Sequence, residues 1–270
     1  MALWTVTDPQ RLTLDEPVLR LDVRLISGRL NIVGTDGPAR VEVSEVKRKL
    51  IIETRDGVLT IRHEKERTWP GFIWWIGNLG RRLKVDVSVA VPRETLADLR
   101  LVDGSLVASG LRAGLDARVT SGKITLLGLD GPVTAKLVSG SVEALGVGGD
   151  LTMETISGEL TLADSTAGRV RGSTVSGSIT CDLDNPAGGE IRLTTTSGEI
   201  TVRVREDSEL NVRLHTLSGR ITSAFGGLAA DGRKDVRGVI GAGLGTLDVS
   251  STSGNIALLA SPVGDEEADR

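Results

Sequence analysis

The sequence predicts an all-β solenoid: a tandem array of coils, each made of two short strands, with counterpart strands stacked in parallel and an N-terminal β region serving as the cap. Three observations carry this. The phrase Ser-Gly-x-aliphatic recurs, at Ser121-Gly122-Lys123-Ile124, Ser139-Gly140-Ser141-Val142, Ser157-Gly158-Glu159-Leu160, Ser176-Gly177-Ser178-Ile179, Ser197-Gly198-Glu199-Ile200, Ser218-Gly219-Arg220-Ile221 and Ser253-Gly254-Asn255-Ile256. From Gly122 to Gly219 the spacing is 18, 18, 19, 21 and 21 residues, too short for a propeller blade. Aligned on the serine, apolar residues fill alternate columns, and no helical period is present.

The columns define two strands per coil. Three residues after the serine stand Ile124, Val142, Leu160, Ile179, Ile200, Ile221 and Ile256; six before it stand Leu115, Val133, Leu151, Val170, Ile191, Val212 and Leu247. Such strands bury little alone and become stable by stacking on neighbouring coils. The glycine fits the turn between them, because it accepts positive φ without steric cost. Asp103-Gly104-Ser105-Leu106 is a degenerate copy, and Ser27-Gly28-Arg29-Leu30 is an early one, placing a repeat unit within 18–45.

In chain order, residues 1–99 form the N-terminal β region. Leu19, Leu21, Val23 and Leu25 alternate with polar residues, and Asp56-Gly57 marks a hairpin between Leu50-Ile51-Ile52 and Val58-Leu59-Thr60-Ile61. Residues 64–82 break the pattern with a Trp-rich excursion. Residues 100–260 are the solenoid, with a glycine-rich detour at 226–245 before a final coil from Leu247 to Ala260. Residues 261–270 read as a disordered acidic tail.

Composition narrows the function. Four Trp, two Phe and no Tyr leave a core of Val, Ile, Leu and Ala, and the net charge of −4 gives no steering towards nucleic acid. The one cysteine, Cys181, falls in a core column, which excludes an intramolecular disulfide and a cysteine-rich metal site. His63 and His215 have no partner ligands in the repeat lattice. The serine repeats because the turn repeats, so it is no catalytic nucleophile. We expect no catalytic residue, metal, cofactor or small-molecule substrate.

Two features are candidate sites. Trp69, Phe72, Trp74 and Trp75, flanked by Arg81 and Arg82, concentrate aromatic and basic character where the repeat is interrupted, and fit a contact with a protein or a membrane. The plainer reading is a cap over the first coil. Arg171, Arg192 and Arg213 share the column five before the serine and are expected to stack on successive coils as an anion-binding stripe, answered by Glu154, Glu190 and Glu206 or solvated. Thr161, Thr180, Thr201 and Thr222 form an outward ladder.

The Trp-Thr-Val opening, the Gly-x-Asp-Gly-Pro turns, the Trp-rich excursion, the serial Ser-Gly-x-Ile strands and Gly241-Ala242-Gly243-Leu244-Gly245-Thr246-Leu247 occur in an order that resembles a bacterial β-strand-repeat family of unknown function. It is number 4097 in its series, is often labelled “putative adhesin”, and is common in actinomycetes. The resemblance spans about residues 4–260. It implies a β-solenoid and no established activity. The label implies export, whereas the N-terminus lacks a basic stretch followed by an apolar run, so the expected location is the cytoplasm. The expected function is a non-enzymatic scaffold or interaction module that binds a protein or itself. The first alternative is a peripheral membrane or envelope-associated protein that binds through the Trp-rich segment. The second is a polysaccharide-active β-helix enzyme, disfavoured because no carboxylate cluster lines a face.

Overall fold

In the computed structural model, residues 1–64, 84–184, 189–228 and 234–262 are described, and among them there is no helix. The chain divides into two units, 1–140 and 141–270, each with its own core.

The N-terminal unit is built on β3 (Arg20–Thr35), one long strand bent at Ser27-Gly28. On one side β3 pairs in parallel with β8 (Leu96–Ser109), from Arg20↔Leu96 to Val33↔Ser109. The next coil is β9 (Leu115–Leu127), parallel to β8. On its other side β3 meets a coil in two pieces, β6 (Val58–His63) and β7 (Lys84–Pro92), both parallel to it. Beyond lies a reversed layer. There β4 (Arg40–Val46) runs antiparallel to β7, and β5 (Leu50–Arg55) antiparallel to β6. The outermost layer is β1 (Ala2–Val6) on β5 and β2 (Gln10–Thr13) on β4, again antiparallel. The Asp56-Gly57 hairpin forms as expected, with positive φ at both residues, the requirement of a tight primed turn. β10 (Val133–Leu145) runs through the boundary between the units.

The second unit starts with β11 (Leu151–Ser165), paired in parallel with β12 (Arg169–Ser176) and β13 (Ile179–Leu183). These pair with β14 (Glu190–Ser197) and β15 (Ile200–Arg205). Here the structure departs from the expected stacking in chain order. The coil after β14 and β15 in space is the last in sequence, β19 (Gly245–Ser253) with β20 (Ile256–Ser261). The coil that precedes it in sequence, β16 (Leu210–Ser218) with β17 (Ile221–Ser223), lies outside it. The glycine-rich detour contains β18 (Asp235–Ile240), antiparallel on the outer edge of β16. The chain therefore adds an edge strand and then returns to fill the gap it left. Column chemistry is blind to this choice: Val212 and Leu247 are interchangeable aliphatics, and period-2 register fixes which face is buried, not which coil is neighbour.

The predicted columns face inward. Ile124, Val142, Leu160, Ile179, Ile200, Ile221 and Ile256 are buried, as are Leu115, Val133, Leu151, Val170, Ile191, Val212 and Leu247. Each such side chain contributes about 1.5–3 kcal/mol on leaving water, but only where a neighbouring coil covers it.

Candidate functional site

The Ser-Gly corner is structural. Gly122 has φ +133°, and a Cβ placed on it would fall inside the Gly104 carbonyl; Gly104 stands likewise on Gly28, and Gly140 on Gly122. In the second unit Gly254 stacks on Gly198 and Gly219 on Gly254, which repeats the interleaved coil order. At these corners backbone passes over backbone, and only hydrogen fits between them.

One corner of the N-terminal unit breaks this stack. Arg62 on β6 is level with Arg24, and Lys84 on β7 is level with Ser27. Between Arg24 and Ser27 lie two residues; between Arg62 and Lys84 lie twenty-one. The Trp-rich segment thus falls in the interval where the neighbouring β3 has only Leu25 and Ile26. Trp69, Phe72, Trp74, Trp75, Arg81 and Arg82 themselves lie outside the described residues.

The surroundings of that corner are described. The turn Lys47-Arg48-Lys49 joins the ends of β4 and β5 beside it, with the Lys47 N–H donating to the Lys84 carbonyl and the Glu64 N–H to the Lys49 carbonyl, both at 3.2 Å. Glu45 lies 3.2 Å from the Lys47 ammonium and 3.3 Å from that of Lys84. Hydrogen bonds from the two lysines hold its carboxyl below the usual carboxylate range. Lys49 is 3.9 Å from Glu64, and Arg29 is 3.8 Å from Asp86. Beneath the corner, His63 is buried with neither ring nitrogen hydrogen-bonded among the described residues. Burial first, and then the Arg48 charge, pushes its pKa down to about 4.

The arginine stripe differs from expectation. Arg171 and Arg192 are level on β12 and β14, but the inserted β19 places Asp248 between Arg192 and Arg213. Arg192 lies 3.8 Å from Asp248, and Arg171 lies 3.2 Å from Glu190, which also holds Arg169 at 3.1 Å. A carboxylate interrupts the column, so these residues form no continuous run of positive charge. The same insertion puts Ala257 between Thr201 and Thr222 in the threonine ladder.

Sequence reading missed two ladders. In the N-terminal unit Asp22, Asp98 and Asp116 are level, and so are Arg24, Arg100 and Arg118. Each arginine pairs with the aspartate two residues before it, at 2.8, 3.1 and 2.6 Å. The Asp-x-Arg spacing was visible in the sequence, but only the register shows that it stacks. In the second unit, Thr155, Thr174, Thr195, Ser251 and Thr216 form a buried hydroxyl column two before the serine, where the N-terminal unit has Leu25, Leu101, Val119 and Leu137. The Thr216 hydroxyl donates to the Gly254 carbonyl at 2.9 Å, and that of Thr195 to the Gly177 carbonyl at 3.4 Å.

Cys181 is buried in its column, and burial pushes its thiol up to about 12, which keeps it protonated and unreactive. His215 lies 3.6 Å from Asp235 across β16 and β18. Among the described residues no group of His, Cys, Asp and Glu gathers that could hold a metal ion.

Stacked coils, corner glycines and layered strand ends define the class: an all-strand, β-solenoid-like protein. The family Toastrack DUF4097 matches residues 34–259, and the chain belongs to it. No curated protein sequence matches the chain. Among solved structures, it is similar to a “putative adhesin” from Bacteroides fragilis at 13% identity, over 96% of this chain and 97% of the other, with a TM-score of 0.46. It is similar to a “putative cell adhesion protein” from Clostridium sporogenes at 13% identity, over 94% and 100%, with a TM-score of 0.31. A “putative lipid binding protein” from Parabacteroides distasonis matches at 10% identity over 93% and 97%, with a TM-score of 0.36. None of these likenesses bears on what this chain binds.

Proposed function

We propose that the protein is a non-enzymatic interaction module that makes contact through the segment 64–82 of its N-terminal unit, with Trp69, Phe72, Trp74, Trp75, Arg81 and Arg82 as the contact residues. The observation that supports this most directly is the register at Arg62 and Lys84. The interval between them is twenty-one residues where the neighbouring coil turns in two, so closing the coil calls for only two of them. Large apolar side chains on such a segment serve contact better than packing. In the second unit Arg171 and Arg192 are paired with carboxylates.

Arg11 on β2, paired with Glu42 on β4, and Asp235 and Arg237 on β18 put charge on two outer strands, whereas β1 has none and exposes Leu3. Charges on an edge strand discourage further strand addition. In this reading self-association uses the segment 64–82, and light scattering of a variant lacking residues 65–83 should give a monomer mass at all concentrations. A pull-down with and without residues 64–82 tests the reading itself. Loss of every specific partner on deletion is the expected result, and an unchanged set of partners would overturn it.

A further inference from the structure

The corner around the departure point of the Trp-rich segment has a charge opposite to that of the chain as a whole. Three layers meet there. The turn between β4 and β5 gives Lys47, Arg48 and Lys49, the start of β7 gives Lys84, and β3 gives Arg29 just after its Ser-Gly bend. Arg62 adds a sixth cation in the adjacent column. The other arginines of that column, Arg24, Arg100 and Arg118, each have an aspartate two residues earlier, whereas Arg62 has Thr60. The carboxylates beside them are Glu45, Glu64 and Asp86, with Glu53 level with Thr60 next to Arg62; Asp22, also level with Thr60, is paired with Arg24. Six cations thus face four such carboxylates in a protein whose net charge is −4. Asp8 in the turn between β1 and β2 and Asp103 at the bend of β8 bound the patch on its two sides.

The lysines at its outer rim are well exposed, Lys47 at 49% and Lys49 at 58%, and Arg29 is exposed at 70%. Glu45 is shared between Lys47 and Lys84, so these two ammonium groups outnumber the one carboxylate between them. The cations come from different strands and a turn around one bend. Charge spread in this way suits a broad, diffusely negative surface better than a small anion, which would need convergent donors.

We infer that this corner, formed by Arg29, Lys47, Arg48, Lys49, Arg62 and Lys84, docks on the acidic lipid headgroups of a membrane surface. The inference rests on the interaction-module reading and names a partner for that corner. Attraction between the patch and a negatively charged bilayer acts within about a Debye length, roughly 10 Å at 0.1 M salt, and weakens as salt rises.

The test is co-sedimentation of the full chain with vesicles of phosphatidylcholine alone or with 30% phosphatidylserine, at two salt concentrations, for three proteins: wild type, the double variant Lys47→Glu with Lys49→Glu, and the deletion of residues 65–83. Wild type should pellet with the acidic vesicles only, and about tenfold or more less at high salt. The charge-reversed variant should bind at least about tenfold more weakly while its melting curve stays within a few degrees of wild type. Wild type that fails to pellet with acidic vesicles, or a folded charge-reversed variant that pellets as well as wild type, overturns the inference. The deletion separates it from the wider reading. A deletion protein that still binds acidic vesicles upholds the basic corner and removes the contact role of 64–82. One that loses binding while the charge-reversed variant keeps it upholds the segment and removes the corner.

Discussion

The corner glycines set the strictest chemical demand in the chain. At Gly122, positive φ and the carbonyl of Gly104 both exclude a side chain. Gly122→Ala should therefore cost about 3 kcal/mol in urea unfolding. Gly128→Ala, at φ +55° with open space around it, should cost about 1 kcal/mol. Equal losses at the two positions would show that backbone conformation, not close approach, sets the cost. The buried hydroxyls offer a second contrast. Thr216 has an acceptor for its hydroxyl, whereas the buried Thr174 hydroxyl has no partner among the described residues. Thr216→Val should lose about 1 kcal/mol, and Thr174→Val should be neutral or stabilising, because it removes an unpaired buried polar group. Sequence reading reached the glycines, whose repetition is plain. It could not reach the hydroxyl column, because Thr two before the serine also reads as an ordinary strand residue.

At the scale of strands, the bend of β6 into β7 holds a titratable group. His63 on β6 has its pKa lowered to about 4 by burial and by Arg48, against about 6.5 in the unfolded chain. Leu50 on β5 lies level with it, and Glu45, Lys47, Lys49, Arg62, Glu64 and Lys84 are the other charges at that bend. Between pH 4 and 6.5 the unfolded chain binds the extra proton, so His63 makes folding stability rise with pH across that window. Its full penalty is present below pH 4, and it contributes nothing above pH 6.5. Urea unfolding of His63→Leu against wild type should show a flatter pH dependence in that interval, and parallel curves would contradict the assignment. The strands themselves were largely legible, because alternation fixes which face is buried. Their neighbours were not. Asp248 sits between Arg192 and Arg213 because β19 is inserted, and identical aliphatic columns in every coil carry no mark of that order.

Across the whole chain, repetition builds the stacked coils, and the proposed contact lies where the repetition is interrupted. The family and its β-solenoid-like fold could be read from the Ser-Gly phrase and the Trp-rich excursion. The basic corner could not, because Lys47-Arg48-Lys49, Arg29 and Lys84 are far apart in sequence and meet only once β4 and β5 are laid, reversed, against β6 and β7. Register also gives the excursion a defined length. Arg62 to Lys84 spans nineteen residues more than Arg24 to Ser27, so deleting 65–83 restores the local chain length of the β3 bend. The measurement that tests the account most directly compares this deletion with wild type in one thermal melt and one quantitative pull-down. The account predicts a cooperative melt within a few degrees of wild type and the loss of specific partners. A deletion protein that fails to fold would make the segment a cap, and one that folds and keeps every partner would place the contact elsewhere on the chain; either result contradicts the account.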